Sequence, residues 1–205
     1  YDFSVAPANT SAADSVLDIS GLELMADKKY TAVAYDSLGT IKALALEDDF
    51  TGLAADTIRV RPIHTAVGVG QVDIWNIPAM GDPTPLYENV DFGVVGTYID
   101  LPVGAYTLGF DVDDDASPDV IFNIPELAAG TVTNVFAVTD SSGELSLRAQ
   151  LNTSDIAQIN PAMSQVRVIH ISPDAPGVDL LVNDGMSAAV SGLAFEQGTG
   201  YLEVL

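Results

Sequence analysis

One stretch occurs twice in the chain, and this repetition constrains the fold more than any other feature of the sequence. Residues 166–179, VRVIHISPDAPGVD, align with residues 60–73, VRPIHTAVGVGQVD. The alignment superposes the only two histidines of the chain, His170 and His64, which lie 106 residues apart. A fixed period of this kind is typical of structural repeats, so we expect a repeat of about 106 residues.

The rest of the chain carries the other part of the same repeat. Residues 1–19 align without gaps with residues 106–124, and residues 29–36 align with residues 134–141. The repeat is therefore out of phase with the chain. The alignment predicts the C-terminal half of a repeat, then a complete β-sandwich repeat, then the N-terminal half of a repeat, at residues 1–55, 56–163 and 164–205.

Short segments rich in β-branched and aromatic residues fill the complete repeat. Clusters of Gly, Pro and Asp separate them, as expected for turns between strands. About eight strands in roughly 105 residues is the size of an immunoglobulin-like sandwich. The sequence therefore predicts an all-β chain of tandem immunoglobulin-like antiparallel β-sandwich repeats. The predicted strands are Thr57–His64, Val72–Trp75, Pro85–Asn89, Val95–Leu101, Ala105–Val112, Asp119–Ile124, Thr131–Thr139 and Glu144–Leu151.

The chain is strongly acidic and contains no cysteine. Its 29 acidic and 7 basic side chains give a formal net charge of −22, which repels nucleic-acid phosphates and anionic lipids. We therefore predict no nucleic-acid partner. No apolar run of about 20 residues is present, so we also predict no membrane insertion. Without cysteine there is no disulfide and no thiolate chemistry, and without a leader we expect a mature or excised segment.

Three segments resemble the bacterial domain-of-unknown-function family numbered 4397. They are HISPDAPGVDLLVNDG, which begins at His170, the segment from Phe195 to Tyr201, and LPVGAYTLGF at residues 101–110. In the first, the histidine, a Ser-Pro-Asp-Ala-Pro turn containing Asp174, and Asp179 follow in fixed order. The resemblance covers nearly the whole chain and implies secreted or cell-surface β-sandwich repeats, with no catalytic residues. The copy at His64 lacks this turn, so we expect its loop to act differently.

Each histidine of the repeat precedes an aspartate by nine residues, which pairs His64 with Asp73 and His170 with Asp179. One interpretation is an acid–base pair or half of a metal site. The other is a structural histidine that bonds an aspartate or a backbone carbonyl across the turn. The structural role is favoured because the pair lacks a nucleophile and a complete set of metal ligands. We therefore predict that the chain is not an enzyme.

Carboxylates are concentrated in DVDDDASPD, residues 111–119. Asp111, Asp113, Asp115 and Asp119 follow the 1-3-5 and 9 spacing of an oxygen-ligand calcium loop. The loop departs from that pattern because its sixth position is not glycine and its twelfth is not glutamate. A solvated hairpin tip is the alternative and is favoured, which leaves calcium as the one candidate cofactor.

Aromatic and proline residues form a further group. Its members are Trp75, Pro83, Pro85, Tyr87 and Phe92. A glycan-binding platform is one interpretation. Packing of the tryptophan beneath a Pro-rich loop is favoured, because buried aromatic side chains dominate the cores of sandwiches.

A half sandwich leaves a sheet edge and an apolar face open, which is an aggregation hazard unless they are covered. Residues 164–205 therefore need residues 1–55 of the same chain or of the next one. Completion between chains is a head-to-tail contact that does not close and so builds a filament. We expect a non-catalytic, secreted or cell-surface structural or adhesive repeat that associates with copies of itself. A calcium- or glycan-binding surface module is the alternative, and a hydrolase using His170 and Asp179 is a third.

Overall fold

The structure is a computed structural model that describes residues 1–141, 143–151, 155–182 and 188–204. This part of the chain is built of short β-strands and contains no α-helix. The strand pairs are antiparallel with one exception, so the prediction of an all-β chain with antiparallel sheets is confirmed. No helix in these ranges has the length and apolar character needed to cross a membrane. The chain divides into two compact units, Tyr1–Asn160 and Pro161–Leu205.

The first unit begins with two antiparallel hairpins, in which β1 pairs with β2 and β3 pairs with β4. A 3-10 turn at Ala12–Asp14 connects β1 to β2. Ser11 starts this turn as a capping box, because its hydroxyl accepts a backbone N–H while the carboxylate of Asp14 accepts the N–H of Ser11. The strands are Phe3–Val5 (β1), Leu17–Ile19 (β2), Lys29–Tyr35 (β3) and Lys42–Asp48 (β4).

The strands β5 to β13 form two sheets. The four-stranded sheet has the order β10-β9-β6-β7, and the five-stranded sheet has the order β13-β12-β11-β5-β8. Both are built from residues 57–159. Their strands are Thr57–His64 (β5), Val72–Asn76 (β6), Thr84–Val90 (β7), Ile99–Pro102 (β8), Tyr106–Asp111 (β9), Val120–Ile124 (β10), Val132–Thr139 (β11), Leu145–Gln150 (β12) and Ile156–Ile159 (β13).

The hydrophobic core contains side chains from both sheets, which therefore pack face to face. Phe110 and Phe122 of the four-stranded sheet meet edge to face, with 5.1 Å between ring centroids. Leu145, Leu147 and Ala149 of β12 join the same cluster at every second position, as the two-residue period of a strand requires. Burying each large side chain stabilises the sandwich by about 1.5–3 kcal/mol.

β5 and β11 pair in parallel, whereas the sequence predicted antiparallel strands throughout. In this ladder Arg61 lies opposite Asn134, and His64 lies opposite Ala137. A parallel pair needs a long crossover, because the chain must return to the same end of the sheet before the second strand. Residues 65–131, which contain all four strands of the opposing sheet, provide this crossover. β5 also pairs with β8 and so lies inside its sheet.

Asp48, the last residue of β4, connects the second hairpin to the five-stranded sheet. Its carboxylate lies 3.1 Å from Nη2 of Arg61 and accepts a hydrogen bond of 2.9 Å from the side-chain amide of Asn134. The hydroxyl of Tyr98 donates to the same carboxylate at 3.3 Å. The two charged side chains are largely buried, so the network fixes the hairpin to the sheet.

The described part of the second unit contains three two-stranded antiparallel sheets, in which β14 pairs with β19, β15 with β18 and β16 with β17. Of the described residues of this unit only His170 and Leu193 are buried. As far as its residues are described, the unit therefore has strands but almost no core. The strands are Ser164–Val166 (β14), Ile169–His170 (β15), Val178–Leu180 (β16), Val190–Leu193 (β17), Gln197–Gly198 (β18) and Leu202–Val204 (β19).

Candidate functional site

His64 is held at both ring nitrogens by the backbone of the loop that follows it. Nε2 lies 2.7 Å from the carbonyl oxygen of Gly70, and the N–H of Ala66 donates to Nδ1 at 3.3 Å. A ring nitrogen that accepts a hydrogen bond carries no proton, so the proton is on Nε2, which donates to the carbonyl. Both nitrogens of the buried imidazole are therefore used within the loop.

His170 makes the same two contacts in the second unit. Its Nε2 lies 3.0 Å from the carbonyl oxygen of Pro176, and the N–H of Ser172 donates to Nδ1 at 3.3 Å. These two partners align with Gly70 and Ala66. The two loops therefore hold the histidine alike, although their sequences differ and we expected them to act differently. The reason is that the partners are backbone atoms, which any residue supplies.

The two aspartates of the motif bind backbone N–H groups of a neighbouring segment. Oδ1 of Asp73 accepts the N–H of Asn89 at 2.6 Å, and Oδ1 of Asp179 accepts the N–H of Gly192 at 2.6 Å. Both donors have a positive φ, 58° and 62°, a conformation that Asn and Gly adopt more easily than other residues. Each aspartate thus stabilises an irregular, left-handed residue beside its strand.

Asp174, the remaining acidic residue of the motif, accepts a hydrogen bond of 3.2 Å from the hydroxyl of Ser172 within the turn. None of the hydrogen bonds described for His170 or Asp179 joins one to the other. The histidine bonds a carbonyl across its loop, which is one of the two structural contacts that the sequence analysis considered. Chemically, the contacts of this arrangement hold the loop backbone in place.

The same aromatic partners recur in both copies of the motif. Each histidine meets a phenylalanine ring edge to face, and the arginine three residues before each histidine lies over a tyrosine ring. The distances are 6.0 Å for His64–Phe92, 6.4 Å for His170–Phe195, 4.3 Å for Arg61–Tyr98 and 5.3 Å for Arg167–Tyr201. The two copies therefore share side-chain contacts as well as backbone contacts.

The copies differ in the exposure of the side chains that flank the histidine. Ile63 is 1% exposed, whereas Ile169 at the aligned position is 54% exposed. Thr65 is 7% exposed, whereas its counterpart Ile171 is 74% exposed. The phase of the repeat predicted an open half sandwich, but neither isoleucine was predicted to be exposed. The sequence indicates this surface through the alternating strand Ile-His-Ile, because its two apolar side chains would be buried in a complete sandwich.

Three carboxylates converge in the turn between β9 and β10. Oxygens of Asp111, Asp113 and Asp115 all lie within 4.8 Å of one another, as the calcium hypothesis requires. Asp119, the fourth predicted ligand, is not in this group and accepts the backbone N–H of Val112 at 2.8 Å. The structure thus brings together three of the four predicted carboxylates.

Asp111 is buried and is used by its own loop. One carboxylate oxygen accepts the N–H groups of Asp113 and Asp114, and the other accepts the N–H of Ala116. The nearby charges, first of Asp115 and then of Asp119, raise the pKa of the Asp113 carboxyl above its ordinary value. The loop therefore accumulates negative charge that a cation would relieve, while the buried carboxylate also satisfies backbone donors.

The aromatic group does not form one surface. Trp75 is half-buried in β6 between Pro85 and Gly109, and its indole Nε1 is buried without a hydrogen-bond partner among the described atoms. That N–H is thus not available to a sugar at the surface. The Tyr87 hydroxyl donates to a backbone carbonyl at 2.8 Å, and Phe92 packs against a histidine.

An apolar cavity of about 90 Å³ lies between the two sheets of the sandwich. Its lining includes Ile58, Leu86, Leu108, Ile124 and Val135. Apolar voids remain dry, since water needs several polar partners. The cavity is part of the core, and its lining is mostly apolar, with Arg61, His64 and Thr133 among its polar members.

Comparison with known proteins identifies a family for this chain. No curated protein matches the chain. Residues 1–75 and 164–205 match the family described as a domain of unknown function, DUF4397, and these segments contain both histidines and both aspartates of the motif. Because the match covers more than half of the residues, the chain belongs to the DUF4397 family.

Proposed function

We propose that the chain is a non-catalytic, extracellular structural or adhesive repeat. Copies join head to tail, because the second unit of one copy is completed by the first hairpins of another. The observation that carries the proposal is the exposure of Ile169, 54%, beside the 1% exposure of Ile63 at the same place in the repeat. Exposed apolar side chains on an unfinished sheet mark an interaction surface.

Shared contacts support a tandem repeat of about 106 residues. The second unit has counterparts of β5 to β8, namely β14 with β15, β16, β17, and β18 with β19. In Val166↔Leu202 and Val178↔Leu193 it repeats the pairings Val60↔Ile99 and Val72↔Val90. Equivalent strands with equivalent partners favour one recurring immunoglobulin-like architecture.

The strands that are not found in the described part of the second unit have counterparts near the start of the chain. By alignment β1, β2, β3 and β4 correspond to β9, β10, β11 and β12. Among residues 1–50 only Leu46 is buried, so the apolar side chains of these hairpins are also largely without cover. Each end of the chain therefore carries the strands that would complete the sandwich at the other end. A contact between such unlike surfaces repeats without closing, and the product is a filament.

The acidity of the chain opposes this association at low ionic strength. Copies that each carry a net charge of −22 repel one another, and salt screens this repulsion. We therefore expect salt to strengthen assembly, as it does when apolar contacts between like-charged molecules dominate.

Light scattering combined with size-exclusion chromatography tests the proposal across protein and salt concentrations. We expect oligomers that grow with both. Ile169→Asp places a charge on the open strand and should leave a monomer, whereas Met80→Asp, at a 90% exposed loop position, should assemble normally. A monodisperse monomer at high protein concentration and high salt would contradict the proposal.

A second candidate function is calcium binding in the turn between β9 and β10. The observation that favours it is the convergence of Asp111, Asp113 and Asp115. A bound ion raises the melting temperature, because it binds the folded state alone. We expect calcium to raise the melting temperature of the parent chain and not that of Asp115→Asn. An unchanged melting curve at millimolar calcium would exclude this function.

A further inference from the structure

The five-stranded sheet shows how the second unit can be completed. Within that sheet β5 has a partner on each edge, antiparallel β8 on one and parallel β11 on the other. On the β11 side, the N–H groups of Arg59 and Thr65 donate to the carbonyls of Thr131 and Ala137 at 2.8 and 2.9 Å. The backbone N–H and C=O groups on both edges of this strand therefore have hydrogen-bond partners.

Among the described residues of the second unit, only one of these edges is occupied. β14 and β15, the counterparts of β5, pair with β19 and β18, the counterparts of the β8 segment. The opposite edge, which corresponds to the β11 side, has no strand partner within the described ranges. Unpaired N–H and C=O groups on such an edge are a template for a further strand.

The counterpart of β11 is β3, and it also has one occupied edge. β3 pairs with β4 as β11 pairs with β12, and its second edge has no strand partner in the described part of the chain. Tyr30, Ala32 and Ala34 share one face of β3, and the two alanines are exposed. By alignment, Tyr30 and Ala32 correspond to Val135 and Ala137, which line the core side of the sheet.

We propose that the free edge of β14–β15 receives β3 of a second copy as a parallel strand, in the register that β11 takes beside β5. That ladder pairs Ile63 with Phe136 and His64 with Ala137. Transferred through the repeat, it sets Thr31 beside Ile169 and Ala32 beside His170. This inference rests on the proposed self-association and names the strand, direction and register that carry it.

The proposed ladder accounts for the exposed side chains of both partners. It covers the flank of Ile169 and extends the core side of β14–β15 with the alanine face of the incoming hairpin, opposite Val178 and Leu180 of β16. β1 and β2 belong to the copy that donates β3. By alignment they place Val5 and Leu17 at the positions of the core pair Phe110 and Phe122. The register also sets Lys29 beside Arg167, a like-charge pair that salt would screen.

Single-cysteine variants test this register cleanly, because the chain has no cysteine of its own. Thr31→Cys and Ile169→Cys are purified separately, given different mass tags, mixed and oxidised. A disulfide forms only when the two Cα atoms lie within about 7 Å. We expect a mixed dimer that contains one copy of each variant. Val33→Cys mixed with Ile169→Cys is the control, since it is displaced by two residues, about 6.6 Å along the strand.

Three outcomes would overturn the inference. If copies associate by light scattering but the control pair cross-links as well as the test pair, or neither does, the register is wrong and self-association stands. If Thr31→Cys and Ile169→Cys combined in one chain close an internal disulfide in a monomer, the acceptor strand belongs to the same chain. If no association is seen at any salt concentration, the inference and the proposed function both fail.

Discussion

Asp48 and Arg61 form an ion pair of 3.1 Å, and both side chains are largely buried. Asp48 lies on a hairpin, and Arg61 lies inside the five-stranded sheet. The partners are 13 residues apart, and Asn134 and Tyr98 complete the network from other strands. A largely buried charge of this kind is tolerated only while its partner remains. The pair is therefore a sensitive point of the first unit.

Asp48→Ala should lower the free energy of unfolding of the first unit by roughly 2–4 kcal/mol, because it leaves Arg61 with an uncompensated charge. Urea unfolding followed by tryptophan fluorescence measures the change, as Trp75 is the only tryptophan. Asp82→Ala, at an exposed loop position, is the matched control and should change stability by less than about 0.5 kcal/mol. Equal effects of the two substitutions would contradict the importance of the pair.

His64 and His170 should both be found as the Nε2–H tautomer. The backbone N–H donors of Ala66 and Ser172 require an unprotonated Nδ1 in each ring. Two-bond ¹H–¹⁵N correlation spectra distinguish the tautomers directly, and the chain has only these two histidines to assign. A protonated Nδ1 in either ring would show that the loop contacts differ from those described.

Two of the seven tyrosines should ionise last at alkaline pH. Burial raises the pKa of Tyr87 to about 12, and burial, ahead of the neighbouring charges, raises that of Tyr98 to about 12. Because both values exceed the ordinary value of 10.0, the stability that these groups contribute is present below pH 10 and is lost as the pH rises towards 12.

The titration is followed by absorbance at 295 nm. The native protein should show a late component, and Tyr98→Phe should reduce it by one tyrosine. In concentrated urea all seven tyrosines should ionise together near pH 10. If the late component persists unchanged in Tyr98→Phe, it does not come from Tyr98.

Asp113→Asn should stabilise the chain slightly in the absence of divalent cations. The pKa of Asp113 is raised, so the stability linked to this group is present at low pH and is lost as the pH rises through the raised value. At neutral pH, removing its charge relieves repulsion from Asp115 and Asp119, and the melting temperature should rise by roughly 1–2 °C.

Thermal melts at low and at about 1 M salt check this expectation. The gain of Asp113→Asn should vanish at high salt, where charges interact over only about 3 Å. Asp82→Asn lies outside the cluster and should show no gain at either concentration. A loss of stability in Asp113→Asn would mean that its carboxylate is needed by the loop itself.

Much of the strand pattern could be predicted because each strand carries its own signal. β5 has the predicted bounds, Thr57–His64, since alternation and flanking turn residues are local. The segment predicted at Val95–Leu101 begins as a strand only at Ile99. Pro62 has no N–H to offer on that side of β5, and a Cβ on Gly96 would come within 2.7 Å of its ring, so regular pairing stops there. β13 is a four-residue edge strand and was missed.

The partners of the candidate site were not predictable in the same way. The sequence singled out His64 and His170 because they are repeated, but their ring partners are backbone atoms, which residue identity does not reveal. The Asp48 network was not predicted, because its members come together only when the hairpin packs against the sheet. The parallel pairing of β5 with β11 is likewise a property of the whole chain path.

That parallel pairing also governs the order of events as the molecule forms. A strand cannot acquire its parallel neighbour until the intervening segment, some 70 residues here, has been synthesised and has turned back. Until then one edge of β5 has no strand partner. β3 corresponds to β11 in the repeat, so under the proposed self-association β3 of a finished copy would compete with β11 for this edge while the chain is being made.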